Sequence, residues 1–123
     1  MKETLIPGLV HQSSHLVTKA MAPGHLSMVV LSTPDMIRLI EFTCHDGVLS
    51  HLDDGETTVG THVCVSHSGA AYENEEVSVT TRLAKVERRR LTFGVEVHSP
   101  RGQISAGTHE RAVLDTSRFS AGR

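Results

Sequence analysis

The spacing of apolar residues changes once along this 123-residue chain, and that change constrains its fold more than any other feature. From Met36 to Leu49 the apolar residues recur at helical spacing. From Thr57 onward apolar and polar residues alternate, a pattern typical of strands. The sequence therefore predicts one main helix followed by a run of strands.

The start of the predicted helix is marked by the segment Ser32-Thr33-Pro34-Asp35. It supplies a hydroxyl N-cap, a proline suited to the first helical position and an acid in the first turn. We expect the helix to end near Gly47 or to continue to His51, before the turn Asp53-Asp54-Gly55.

The connections between the later strands are too short for parallel crossovers, which need about a dozen residues. We therefore expect antiparallel pairing and a single α+β domain over residues 1–123, with one helix against a sheet of about five strands. The predicted strands are His11–Ala20, Thr57–His67, Val77–Leu83, Leu91–Val97 and Gln103–Leu114.

Composition excludes several functional classes. The 12 basic and 14 acidic residues give a net charge of −2, so we expect no general attraction to nucleic acid or to an anionic membrane.

Cys44 and Cys64 lack zinc-site spacing, and we expect both to be reduced in a cytoplasmic protein. His11 and His15 would lie about 13 Å apart along a strand, too far to share one ion. We expect neither a metal nor a cofactor.

Two polar residues fall where the pattern places apolar ones. Glu41 lies on or beside the apolar stripe of the helix, where a carboxylate is costly unless it is paired. It is either a stripe-edge residue turned to solvent or a general base, and we expect Glu41→Gln to leave the melting temperature unchanged or raised. His67 ends a strand whose shared face is predicted to hold Val59, Thr61, Val63, Val65 and His67 itself. It is either an edge histidine or a catalytic partner of Glu41 near the helix–sheet junction.

Arginines raise two further alternatives. Arg111 lies in a strand with polar groups on both faces, so it is either part of a solvated charge ladder or a functional group. The run Arg88-Arg89-Arg90 falls between two strands. It is either a solvated turn or a site that attracts the phosphates of a nucleotide.

Two segments resemble the signature strands of the fluoroacetyl-CoA thioesterase family. They are Val59-Gly60-Thr61-His62-Val63-Cys64-Val65-Ser66-His67-Ser68 and Gly107-Thr108-His109-Glu110-Arg111-Ala112-Val113, and the likeness extends over about residues 30–119. The resemblance implies a hotdog fold, in which a long helix is wrapped by an antiparallel sheet and two subunits pair. It also implies an acyl-CoA thioesterase without a cofactor, with Thr33, Glu41 and His67 as catalytic residues. Gly60 and Arg111 match the family's substrate-contacting positions.

The sequence departs from that family at two places. Pro34 stands where the family has glycine after the catalytic threonine, and the segment Pro23–Met28 lacks the aromatic residues of the family's lid. We therefore expect a substrate range wider than fluoroacetyl groups. An enoyl-CoA hydratase or dehydratase and a non-catalytic acyl-CoA-binding dimer remain the alternative functions.

Overall fold

The computed structural model describes residues 1–121, with side chains through Arg118. It contains five strands, one long helix, a short 3-10 helix at Lys19–Met21 and a short C-terminal helix. The elements in chain order are β1 (Val10–Leu16), α1 (Thr33–Leu49), β2 (Glu56–Val65), β3 (Glu76–Glu87), β4 (Arg90–Ser99), β5 (Gly102–Asp115) and α2 (Thr116–Ala121). None of the described helices is long and apolar enough to cross a membrane.

The five strands form one antiparallel sheet in the order β1-β3-β4-β5-β2, and α1 packs across its inner face. This arrangement confirms the predicted α+β fold with one long helix. The core lies between helix and sheet, where the alternation of β3 and β4 buries every second side chain. Its members include Met36, Ile40, Cys44, Val48, Val77, Val79, Leu83, Leu91, Phe93, Val95, Val97 and Val113.

The helix begins and ends within the predicted limits. The Ser32 hydroxyl accepts a hydrogen bond from the Asp35 amide at 3.2 Å, which satisfies one free N–H group of the first turn. Pro34 lies within that turn, where its missing N–H group costs no hydrogen bond. Leu49 is the last helical residue and is 47% exposed, so the buried stripe ends one residue earlier, at Val48.

Two strand predictions are wrong in detail. β1 ends at Leu16, not Ala20, and β2 ends at Val65, so His67 lies beyond the strand. β2 also contains a bulge, because Gly60 pairs with Arg111 while His62 pairs with Glu110.

The bulge overturns the predicted shared face. Thr61 is the additional residue, and one additional residue reverses the alternation of side chains along the strand. Val59 therefore lies opposite Ala112 on the outer face, whereas Val63 lies opposite His109 on the inner face.

Candidate active site

Thr33 and His67 form a hydrogen-bonded pair at the N-terminal end of α1. The Thr33 Oγ1 lies 2.7 Å from Nδ1 of His67, and Thr33 is the first residue of the helix. When the imidazole carries its proton on Nε2, Nδ1 accepts the hydroxyl proton, as required to activate a hydroxyl nucleophile. The partial positive charge at the start of the helix also favours negative charge developing on Oγ1.

Backbone hydrogen bonds on both sides hold this pair in place. The Leu31 amide donates to the Ala71 carbonyl at 2.8 Å, and Val30 forms a β-bridge with Tyr72. The Ser68 amide donates to the Ile104 carbonyl at 2.8 Å. The segment before α1 and the segment after β2 are therefore fixed relative to each other, which sets the distance from Thr33 to His67.

An open cleft of about 320 Å³ lies beside the pair. Aliphatic side chains and prolines form much of its wall, and its polar lining residues are His25, Ser32, Thr33 and His67. Among the described residues that line it there is no Phe, Tyr or Trp, in agreement with the missing aromatic lid. Its apolar lining residues are Pro23, Leu26, Val30, Leu31 and Pro34.

A second cluster joins Glu41, Gly60 and Arg111. The Oε1 of Glu41 lies 3.4 Å from Nη1 of Arg111, and the Glu41 side chain is 41% exposed. The same oxygen lies directly over Gly60, where any added β-carbon would collide with it. Glycine at this position thus leaves the space that the carboxylate occupies beside the strand.

Arg111 is buried, so the interpretation of a solvated charge ladder is wrong for this residue. Its Nε donates to the Thr58 hydroxyl at 2.8 Å and its Nη2 to the Thr58 carbonyl at 3.1 Å. Burial lowers the pKa of Arg111, and the neighbouring Glu41 carboxylate acts in the opposite direction. The guanidinium is therefore held rigidly by β2, with Glu41 as its anionic neighbour.

His109 completes this network and was not predicted as a site residue from the sequence. Its Nδ1 lies 2.8 Å from the His62 carbonyl and its Nε2 lies 3.1 Å from Nη1 of Arg111. A carbonyl only accepts hydrogen bonds, so Nδ1 carries the proton and Nε2 accepts from the guanidinium. Burial lowers the pKa of His109, which keeps the ring neutral beside the cation. The sequence feature that could have identified His109 is its position two residues before Arg111, which places the two side chains on the same face of β5.

Thr58 and His45 extend the network toward α1, and neither was predicted as a site residue from the sequence. Nδ1 of His45 lies 2.7 Å from the Thr58 hydroxyl, which also accepts from Arg111. Burial lowers the pKa of His45, so its neutral ring can accept the hydroxyl proton. Because His45 follows Glu41 by one helical turn, both side chains meet the sheet on the same side of α1.

One chain does not bring the five predicted site residues together. Thr33 and Glu41 are eight residues apart on α1, which places them about 12 Å apart along the helix axis. Within the described residues no hydrogen bond connects the Thr33–His67 pair to Glu41 or Arg111. The predicted pairing of Glu41 with His67 therefore does not occur within a single chain.

The histidines and cysteines considered as metal ligands do not form a metal site in the described part of the chain. His11 Nε2 lies 2.8 Å from Asp46, and His15 Nε2 lies 2.8 Å from the Ser13 hydroxyl. Cys44 and Cys64 are free, and burial raises the pKa of the Cys44 thiol to about 12. In the part of the chain that the structure describes, no three potential metal ligands cluster.

A long helix wrapped by a five-stranded antiparallel sheet, with a threonine–histidine pair beside an acyl-sized cleft, defines the class of hotdog-fold thioesterases. A solved structure of the fluoroacetyl-CoA thioesterase FlK matches at a TM-score of 0.92 and 31% identity, over 98% of this chain and 96% of that one. A Thermus thermophilus thioesterase superfamily member, 24% identical, matches over 97% of this chain and 90% of that one at a TM-score of 0.88 and supports the fold.

The chain belongs to the fluoroacetyl-CoA-specific thioesterase family, whose pattern matches residues 12–117. A fluoroacetyl-CoA thioesterase from Streptantibioticus cattleyicolor is 39% identical over 92 residues, which cover 75% of this chain and 66% of that relative. These matches confirm the resemblance and the hotdog fold inferred from the sequence.

Proposed function

We propose that the protein is an acyl-CoA thioesterase that hydrolyses a thioester to a free acid and CoA. The observation that carries this proposal is the 2.7 Å hydrogen bond between Thr33 and His67 beside the aliphatic cleft. Family membership supports the same reaction, because the 39% identical relative is a fluoroacetyl-CoA thioesterase. Solved structures of FlK variants include complexes with acetyl-CoA and with fluoroacetate and CoA.

The Thr33–His67 pair supports a two-step hydrolysis. Oγ1 of Thr33 attacks the thioester carbonyl while Nδ1 of His67 takes the hydroxyl proton. Collapse of the tetrahedral intermediate breaks the carbon–sulfur bond, and the imidazolium returns its proton to the departing thiolate. Water then attacks the threonine ester and gives up a proton to a base. Collapse of the second tetrahedral intermediate releases the acid, and Oγ1 of Thr33 takes a proton back. Direct attack by water on the thioester is the alternative route.

Glu41, Gly60 and Arg111 supply the remaining groups. Glu41 is the base that takes a proton from water, and its 41% exposure leaves the carboxylate open to the solvent side. The backbone amide of Gly60 is the candidate donor to the developing oxyanion. Because Arg111 is buried against Thr58 and His109, we assign it to the acyl end of the substrate and not to the CoA arm.

The separation between the two clusters supports a homodimer with sites shared between subunits. About 12 Å along α1 separates Thr33 from Glu41, so a partner chain is needed to place Glu41 beside a Thr33–His67 pair. β2 is an edge strand of the sheet, and its Val63 is 37% exposed. An obligate interface of this kind usually buries about 2,000 Å² or more. Light scattering at micromolar concentration should give twice the 13.4 kDa chain mass, and a 13.4 kDa particle would contradict the shared site.

Mass spectrometry of incubations with acyl-CoA and enoyl-CoA tests the proposed reaction. A thioesterase releases free CoA and the acid, whereas a hydratase adds one water to an enoyl-CoA without releasing CoA. A non-catalytic binding protein leaves both substrates unchanged. We expect free CoA from wild-type protein and little from His67→Ala.

We also place the enzyme in the cytoplasm, which agrees with its two free cysteines.

A further inference from the structure

The turn between β3 and β4 carries three consecutive arginines, and the reaction proposed above does not use them. Glu87 pairs with Arg90, so Arg88 and Arg89 form a two-residue hairpin loop. Arg88 has a φ of 57°, a left-handed conformation that non-glycine residues adopt uncommonly. The hairpin therefore presents a compact group of guanidinium side chains at one end of the sheet.

These arginines line a groove that also reaches α2. Two depressions of about 520 and 350 Å³ adjoin along residues 112–114 of β5 and share Arg89, Val113 and Leu114. We call the combined feature the arginine groove. Its floor is formed by the side chains of Ala112 and Leu114 with the backbone of Val113 between them, and its walls carry Arg88, Arg89, Arg90 and Arg118.

Acidic neighbours neutralise only part of this charge. Arg89 donates to Oε2 of Glu56 at 3.0 and 3.3 Å, and Arg90 lies 3.9 Å from Glu110. Among the described residues, no carboxylate lies within ion-pair distance of Arg88. Glu87 and Asp115 are the acidic residues that line the groove, against four arginines. Glu87 is itself paired with Lys85, so Arg88 and Arg118 are the groove cations outside the ion pairs of the described residues, with Asp115 as the carboxylate near Arg118.

The groove begins close to the candidate active site. The register pair of Arg90 and Ala112 is the one next to the pair of Leu91 and Arg111, whose guanidinium contacts Glu41. The hairpin tip lies two residues farther along β4, about 7 Å at the rise of an antiparallel strand. Ala112 and Leu114 face the outer side of the sheet and Arg111 the inner side, so a ligand that joins both places passes around the hairpin end, which the length of a pantetheine arm allows.

We propose that the arginine groove binds the phosphorylated nucleotide end of CoA, an inference that rests on the proposed acyl-CoA thioesterase function. The diphosphate and the 3′-phosphate are anions that guanidinium groups bind through paired hydrogen bonds. The adenine ring is planar, and one of its faces can pack on the floor formed by Ala112 and Leu114. Arg111 on the inner face then serves the acyl end, while Arg88 and Arg118 serve the phosphates.

The kinetic test compares one acyl group on CoA and on pantetheine, which lacks all three phosphates. The double variant Arg88→Gln with Arg118→Gln should raise KM for acyl-CoA at least tenfold and change KM for acyl-pantetheine less than twofold. Arg82→Gln, an exposed arginine on β3 that does not line the groove, is the matched control and should behave as wild type on both substrates. Equal changes on both substrates, or no change on acyl-CoA, would overturn the proposal.

A binding measurement separates this proposal from the proposed reaction. Calorimetry with adenosine 3′,5′-bisphosphate, against adenosine as the uncharged reference, should show binding to the wild type that weakens at least tenfold in the double variant. Equal binding to both proteins would overturn the groove assignment whatever the hydrolysis assay gives. A wild-type protein that binds the bisphosphate but hydrolyses neither thioester would refute the thioesterase function and support the groove.

Discussion

The carboxylate of Glu41 is the counter-ion of a buried guanidinium, since its Oε1 lies 3.4 Å from Nη1 of Arg111, whose side chain is only 8% exposed. The other partners of Arg111, which are Thr58 and His109, are neutral groups. A buried charge without a partner is strongly destabilising. We therefore expect Glu41 to stabilise the folded chain, which argues against the expectation that Glu41→Gln leaves the melting temperature unchanged or raised.

Glu41→Gln should lower both activity and stability. Loss of a general base typically costs about 10²- to 10⁴-fold in rate. The melting temperature should also fall, because Arg111 loses its anionic neighbour. The loss in free energy of unfolding should be smaller than the ~3–5 kcal/mol seen for fully buried pairs, since the Glu41 side chain is 41% exposed. Steady-state assays and thermal melts on the same preparations measure both effects.

The matched control is Glu96→Gln, which removes an exposed carboxylate from the outer face of β4 and should resemble wild type in both measurements. An unchanged or raised melting temperature for Glu41→Gln would show that Arg111 needs no counter-ion. Activity within threefold of wild type would remove Glu41 from the reaction.

Thr33 variants distinguish the two routes of attack. If Oγ1 of Thr33 is the nucleophile, Thr33→Ala should lose as much kcat as His67→Ala, while Thr33→Ser should keep most activity. The double variant of Thr33 and His67 should lose far less than the product of the single losses, because the two residues act in one step. Rapid quenching and mass spectrometry of Thr33→Ser should detect an acyl group on the enzyme. High activity in Thr33→Ala would assign the attack to water.

The order of elements could be predicted because it depends on local spacing. The period change located α1 and the strands, and Ser32 with Pro34 fixed the start of the helix. The bulge at Thr61 could not be predicted, because it arises from how β2 pairs with β5. That single additional residue reversed the alternation and made the predicted position of Val59 wrong.

The candidate site was predictable only where a polar residue broke an apolar pattern. Glu41 and Arg111 stood out for that reason, but their contact depends on packing between α1 and β5. Thr33 came from the resemblance alone, since a threonine at a helix start is ordinary. His109 was overlooked because its partners, a strand carbonyl and a guanidinium, come from residues that only the fold brings close.

His109 variants test whether its ring positions Arg111. His109→Phe keeps a ring beside Phe93, whose centroid lies 6.5 Å from that of His109, but it removes the acceptor for Nη1 of Arg111. We expect kcat to fall by between about 10- and 100-fold, as for other small misplacements of a reacting group, with KM little changed. His109→Gln offers an amide oxygen in place of Nε2 and should restore most of kcat. Equal kcat in the two variants, corrected for folded fraction, would limit His109 to a packing role.

Stability should fall as the solution is acidified below the ordinary histidine pKa. Burial lowers the pKa of His15, His45 and His109 from 6.5. The unfolded chain therefore binds more protons below pH 6.5, so stability is fully present above that pH and is lost as the pH falls toward the folded-state values. Each group contributes at most about 1.4 kcal/mol per pH unit. Urea unfolding at pH 7.5, 6.0 and 5.0 measures the slope.

His109→Gln should flatten that slope most, because His109 is the most buried of the three. His25→Gln replaces an exposed histidine and is the matched control, with the wild-type slope expected. A wild-type slope in His109→Gln would mean that the buried ring does not take part in the pH dependence.

The cleft beside Thr33 should accept acyl groups of several lengths. It is open, holds about 320 Å³ and has an aliphatic wall, so nothing in its lining closes tightly over a two-carbon chain. A pocket discriminates by only about 1–3 kcal/mol per methylene. We expect kcat/KM for acetyl-, butyryl- and hexanoyl-CoA to lie within about two orders of magnitude, with less than a hundredfold preference for fluoroacetyl- over acetyl-CoA. Leu26→Phe, at a half-exposed position in the wall, should reduce hexanoyl-CoA turnover more than acetyl-CoA turnover. A larger fluoroacetyl preference in wild type would show that this aliphatic cleft selects fluorine without an aromatic lid.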